Sequence, residues 1–199
     1  MGYASLSKEC LDVAQDFGWT GESHSLSWES LVDMRNSVVR RLEGIHERNL
    51  RGANVELIRG FARFLDPHHV DVDGRRLSAQ RFVIATGAAP VMPEIRGDGS
   101  SMTSDALFDL VSMPRSAVVI GGGYIAVEYA GILRGLGCDV TMLVRDQLLR
   151  GFDRDIADQL AANLEQQGIA VHIPAEVQDA HHTAAGYHVH YVCGEQDYE

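Results

Sequence analysis

Lysine is nearly missing from this chain. Lys8 is the only one, and arginine supplies the rest of the 17 basic residues. Against 28 acidic residues they leave a net charge of −11. A chain this acidic repels a phosphate backbone, which argues against nucleic acid as a partner. Cysteine is scarce too. Cys10, Cys138 and Cys193 stand alone, with no C-x-x-C or C-x-x-x-x-C pair. That excludes a disulfide scaffold and a redox pair built from sequence neighbours, and it fits free thiols in a reducing compartment. No apolar run approaches the roughly 18 residues of a membrane helix, so no membrane partner is expected. The first ten residues, MGYASLSKEC, lack the basic and apolar regions of a secretory leader. Together these absences point to the cytoplasm. His68-His69 and His181-His182 fall in turn-like stretches without metal-ligand spacing, so no metal is expected.

What remains is 45% hydrophobic and holds 20 glycines in 199 residues, enough for one large domain or two small ones. SLSKECLDVAQDFG (5–18) has helical spacing. Ser27 caps a longer helix in which Leu31, Met34, Val38, Leu42 and Ile45 recur every three or four residues, closed by Arg51-Gly52. Short runs follow, VELI (55–58), FARFL (61–65) and HVDVDG (69–74), which read as a β-meander. RFVIATG (81–87) reads as a buried strand. The stretch 89–112, with its two prolines near the start and a short helix over 104–111, is a connector. From Ser116 the pattern becomes strand, glycine turn, helix, strand. Asp153 then caps a helix over 154–167, and IAVHIP and GYHVHYVC are further strands. The expected class is α/β: an α+β part, then a Rossmann-like βαβ unit.

The turn reads VVIGGGYIAVEYAG (118–131), with the spacing Gly121-x-Gly123-x-x-Ala126. Gly121 permits a tight bend, Gly123 lets the backbone approach a pyrophosphate, and Ala126 lets the helix pack closely on the strand. The anion would sit at the helix N-terminus, where N–H groups are free. The spacing alone is a weak signal; the flanking strand, helix and second strand supply the context it needs. At the end of that second strand an NAD site wants a carboxylate for the ribose 2′-hydroxyl. The chain has Arg145 instead, with Arg150 five residues on. Guanidinium groups suit a 2′-phosphate, so NADP(H) is the expected ligand. The plainer alternatives are a structural turn and two solvated arginines.

GGGYIAVEYAGIL followed by LVR…LRGFD closely resembles the NADPH domain of the glutathione reductases, within the pyridine nucleotide–disulfide oxidoreductase family. VELIRGFARFLDPHHVDVDGRRLSAQRFVIATGAAP resembles the middle of that family's FAD domain, and TSDALFDL its linker. The resemblance covers almost the whole chain. It implies that residues 1–88 belong to a partial FAD-binding domain, 89–112 to a linker and 113–199 to a nearly complete NADP(H)-binding domain. It implies that Gly121, Gly122, Gly123, Ile125 and Ala126 line the pyrophosphate turn and that Arg145 and Arg150 hold the 2′-phosphate. Tyr124 resembles the tyrosine covering the nicotinamide pocket; its alternative is an aromatic packed on the sheet. Glu128 resembles a glutamate that pairs with a lysine near the flavin. Ala62, Thr86 and Gly87 fall where the family meets FAD, although Gly87 also serves as a strand terminator. His46 stands where the family usually carries a glutathione-contacting tyrosine.

Several family features are not in these residues: the FAD glycine turn, the C-x-x-x-x-C pair with its lysine, the interface domain through which the family dimerises and the terminal His-Glu pair. Met1-Gly2-Tyr3-Ala4 resembles the point just after the redox segment, so the chain is expected to be an internal fragment. The Arg145–Arg150 interval is one residue shorter than the family's. Three readings follow. The first is part of an NADPH- and FAD-dependent reductase of glutathione disulfide, with these residues binding NADP(H) at most and turning nothing over. The second is a related reductase of another disulfide or of mercuric ion. The third is a non-enzymatic NADP-binding remnant.

Overall fold

A computed structural model of the chain describes residues 2, 4–7, 10, 26–97, 101–184 and 186–198. Residues 4–7 and 10 are helical, and the rest of the helix expected over 5–18 lies outside the described residues. The backbone divides into two compact units, one of residues 34–89 and the other of Met1–Asp33 with Pro90–Glu199.

Helix α1 (Trp28–Gly52) starts where its cap is expected: Ser30 N–H donates to Ser27 Oγ at 3.2 Å. The buried Trp28 fixes this end by donating its indole N–H to the Leu110 carbonyl at 2.9 Å. Further along, the apolar stripe does not become core. Met34, Val38 and Leu42 are exposed, while Leu31 and Ile45 are half-buried.

In the 34–89 unit a three-stranded antiparallel meander forms from β1 (Ala62–Asp66), β2 (His69–Val72) and β3 (Arg75–Ser78). The meander is thus one strand further along the chain than expected. VELI makes no strand, and RRLS supplies the third. Asp66 secures the first turn, its carboxylate accepting from His68 N–H and from the His69 ring, each at 2.8 Å. These bonds, the His68 one first, hold the Asp66 carboxyl below its ordinary value of 3.8. RFVIATG is not a buried strand. It has no ladder partner among the described residues, and Val83 and Ile84 are 91% and 73% exposed. An apolar run makes a strand only when a neighbour accepts its backbone hydrogen bonds.

Beyond Pro90 the other unit continues with β4 (Arg96–Gly97) and a 3₁₀ turn (Ser104–Asp109) where a short helix is expected. The βαβ pattern follows: β5 (Ser116–Ile120), α2 (Tyr124–Gly135), β6 (Asp139–Leu143), α3 (Arg154–Gln166) and β7 (Ala170–His172). The three strands are parallel in the order β5-β6-β7, with Ser116 opposite Asp139 and Thr141 opposite Ala170. Parallel neighbours need a long crossover, which α2 and α3 supply. Ala130 and Leu133 of α2 and Leu164 of α3 bury against Cys138, Val140, Met142 and Ile169 to form the core. Arg134 ties the far end together, donating to the Gln167 carbonyl at 2.8 Å and to the Asp139 carboxylate at 3.1 Å.

The second sheet has the order β10-β9-β8-β4, built from β8 (Ala175–Thr183), β9 (Gly186–Cys193) and β10 (Gln196–Tyr198). His181-His182 therefore lies within a strand, not a turn. His181 stacks on His188 across the β8–β9 pair. The linker also does more than connect, because β4 pairs in parallel with β8. The fold is mixed α/β with a Rossmann-like parallel core.

Candidate functional site

β5 delivers the chain to Gly121, whose φ of +127° lies in a region side chains avoid and glycine enters freely. Its N–H donates to the Leu143 carbonyl at 2.9 Å, so the bend begins while the chain is still paired with β6. Gly122 meets the loop after β6 at close quarters. A Cβ there would stand 2.6 Å from the Gln147 carbonyl oxygen, and the Gly122 carbonyl accepts from Leu149 N–H at 2.6 Å. Gly123 is different. As the N-cap of α2 its φ is −76° and its ψ 169°, a conformation any residue adopts. Nothing lies within 4 Å of where its Cβ would be. Neither backbone nor crowding within the chain requires glycine there; what glycine provides is open space before the helix.

That helix end is chemically unusual within the chain. No side chain caps α2, and its first turn carries no acidic residue. The first N–H groups of a helix have no partner inside it and carry a partial positive charge. α3 shows the ordinary solution: the Asp153 carboxylate accepts from Asp155 N–H at 3.0 Å and from Ile156 N–H at 3.3 Å. One helix closes its positive end with its own carboxylate, and the other leaves it open to an anion.

Around this end, Ala126 is half-buried, with its Cβ 3.9 Å from the Cβ position of Gly121, so a small side chain brings helix and strand together. Tyr124 is 61% exposed and Ile125 44% exposed, so Tyr124 does not pack on the sheet. Glu128 is exposed one turn further along.

The two arginines are fixed through their backbone and free at their tips. Val144 is buried, and both of its backbone groups are bonded, the N–H to the His172 carbonyl (3.0 Å) and the carbonyl from Ala175 N–H (2.8 Å). Arg145 follows it directly. Leu148 is buried, Leu149 is bonded to Gly122, and Arg150 follows. Both guanidinium groups are exposed and have no partner among the described residues. The loop carrying them is thus pinned to the glycine turn itself.

The remaining candidates fall in the 34–89 unit: His46 on α1, Ala62 at the start of β1 opposite Val72, and Thr86 and Gly87 in the extended segment. All four are exposed, and no hydrogen bond or ring contact joins them among the described residues. The three thiols are free, with Cys138 buried, Cys193 half-buried and Cys10 exposed. Burial pushes the Cys138 thiol up, Asp139 adds to this and Arg134 opposes it, so its thiolate, the reactive form, is suppressed. No group of three or more potential metal ligands comes together among the described residues. No helix among them is long and apolar enough to cross a membrane.

The sequence matches the pyridine nucleotide-disulphide oxidoreductase family over residues 4–198. The chain belongs to that family. Curated members similar to it include the glutathione reductase of Burkholderia cepacia, 42% identical over 176 residues, which cover 88% of this chain and 39% of that protein. The glutathione reductase of Nostoc sp. is 38% identical over 181 residues, 90% of this chain and 39% of that protein. The chloroplastic/mitochondrial glutathione reductase of Pisum sativum is 40% identical over 172 residues, 85% of this chain and 31% of that protein. Among solved structures of the family, the HOCl-induced flavoprotein disulfide reductase RclA from Escherichia coli superposes with a TM-score of 0.74 at 27% identity, covering 98% of this chain and 44% of that one. Its Cu(II) complex gives 0.72 at 29% identity, covering 86% and 41%. The chain spans between about a third and about two fifths of the length of these proteins.

Reading the pattern alone missed Gln147, Leu149 and Arg154. No motif marks them; their parts depend on how the loop after β6 folds back onto the turn.

Proposed function

We propose that the turn from Gly121 to Ala126 holds the pyrophosphate of NADP(H), and that Arg145 and Arg150 hold its 2′-phosphate. The observation that carries this reading is the uncapped N-terminus of α2, faced by open space at Gly123 and flanked by a pinned loop bearing two unengaged guanidinium groups. Backbone N–H groups would meet the pyrophosphate, and the arginines would fork onto the terminal phosphate oxygens. The exposed ring of Tyr124 stands at the helix start, where it would shield the nicotinamide end. When bound, NADPH supplies the hydride. These residues bind and orient it.

In this reading residues 113–199 are the NADP(H) domain, 89–112 the linker and 1–88 part of an FAD domain. The protein as a whole is an NADPH-dependent flavoprotein disulfide reductase most like glutathione-disulfide reductase, working as a dimer in the cytoplasm. Relatives at 38–42% identity carrying that name support the substrate class. For FAD the described residues make a poorer case. Ala62, Thr86 and Gly87 are exposed, and no hydrogen bond joins them among the described residues, so no step is assigned to a flavin on them. Nor is disulfide turnover assigned to these 199 residues, which hold no C-x-x-x-x-C pair.

Titrating the protein with NADPH and NADH tests the binding claim. Mixing it with NADPH and glutathione disulfide, with and without added FAD, tests turnover. The expected outcome is NADPH binding without NADPH consumption. Steady consumption would refute the assignment of these residues to binding alone.

A further inference from the structure

The loop between the two arginines makes one contact that the sequence pattern does not announce. Arg154 Nη1 donates to Gln147 Oε1 at 2.6 Å, and Arg154 Nε donates to the Asp158 carboxylate at 3.2 Å. Arg154 is the first residue of α3, where a cation meets the positive end of the helix dipole and gains nothing from it. The dipole therefore does not explain the residue, and within α3 its contact among the described residues is the exposed i,i+4 ion pair with Asp158, a weak one. A guanidinium has five N–H donors; two are engaged, and no other partner is present among the described residues. Gln147 is two residues after Arg145 and three before Arg150. At about 3.8 Å per Cα step its Cα lies within roughly 8 Å of the first and roughly 11 Å of the second.

We propose that Arg154 is a third guanidinium of the 2′-phosphate subsite. Gln147 and Asp158 hold it in place before the nucleotide arrives, so little side-chain freedom is lost on binding. The role rests on the reading that the turn takes NADP(H). It makes the cation set of the subsite Arg145, Arg150 and Arg154. It also assigns Gln147 as a positioning residue that acts only through Arg154.

Calorimetric titration of wild type, Arg154→Gln and Gln147→Leu with NADPH and with NADH, at low and high salt, tests this. Arg154→Gln is expected to weaken NADPH about three- to tenfold, as loss of one partly exposed charge contact does, to leave NADH unchanged, and to flatten the salt dependence of NADPH binding. Gln147→Leu should lower the NADPH preference in the same direction and by less, with the salt dependence kept because the charge remains. An Arg154→Gln protein that prefers NADPH as strongly as wild type overturns the proposal. So does one that loses both nucleotides alike, since that marks a role in the fold of α3. The underlying reading fails differently: wild type would then show no preference for NADPH, or would keep its preference after Arg145→Ala and Arg150→Ala.

Discussion

Replacing Gly123 by aspartate should make the protein more stable and worse at its task. Gly123 already has the extended conformation of an N-cap, and a Cβ there meets nothing within 4 Å, so the side chain fits without strain. Its carboxylate would accept from the free N–H groups of α2, as Asp153 does for α3. Aspartate for glycine at an N-cap contributes a few tenths of a kcal/mol, and the helix dipole adds about 0.3–1 kcal/mol. A total near 0.5–1 kcal/mol raises the melting temperature of a chain of this size by roughly 1–4 °C. The same carboxylate would stand where a pyrophosphate is to sit. Two unit charges 4 Å apart repel by about 4 kcal/mol at an effective dielectric of 20, close to three decades in affinity. Even with strong screening, NADPH binding should weaken by about a hundredfold, and the N–H donors would already be occupied. Gly123→Asn has the same size without the charge, so it should bind NADPH better than the aspartate variant. Thermal melting and nucleotide titration read both effects on one sample. A Gly123→Asp protein that melts higher yet binds NADPH within threefold of wild type would show that the phosphates lie elsewhere.

Other outcomes follow from the same geometry. Arg145→Ala and Arg150→Ala should each weaken NADPH by about 1.5–3 kcal/mol, the range for a charged hydrogen bond, and leave NADH alone in parallel titrations. Leu133→Ala empties a buried position in the core of the parallel sheet and should cost about 2–5 kcal/mol in denaturant unfolding; a loss below 1 kcal/mol would remove Leu133 from the core. Asp66 has a folded-state pKa below its ordinary value, so the stability it lends the β1–β2 turn is complete above about pH 4 and fades as pH falls through the lower folded value. The protection factor at His68 N–H, taken against the intrinsic exchange rate at each pH, should fall over that range in wild type and not in Asp66→Asn. A thiol reagent at neutral pH should label Cys10 quickly and reach Cys138 only on unfolding, since burial raises the Cys138 pKa and hides its sulfur.

The glycine turn was legible in the sequence because its constraints are local. A β-branched run, a bend needing positive φ at Gly121 and a helical repeat all lie within 14 consecutive residues. The caps were legible for the same reason: Ser27 and Asp153 each act on a residue two or three positions away. Strands depend on partners, and there the reading slipped. RFVIATG has the composition of a core strand and no ladder partner among the described residues, while AEVQDAHHT looks polar and turn-like yet pairs on both sides. The stripe of α1 had the right period, but periodicity cannot say whether anything packs against Met34, Val38 and Leu42. Within the candidate site, Arg145 and Arg150 could be read from their place after a strand. Gln147 and Arg154 could not, because the bond between them exists only once α3 has started beside the loop.

The most direct test of the central claim is a paired titration of the purified protein with NADPH and NADH under identical buffer and salt. The uncapped α2 and the arginine loop predict saturable binding of both, with NADPH tighter by about a hundredfold or more, the worth of two charged hydrogen bonds. Equal affinities, or no binding of either, would contradict the claim.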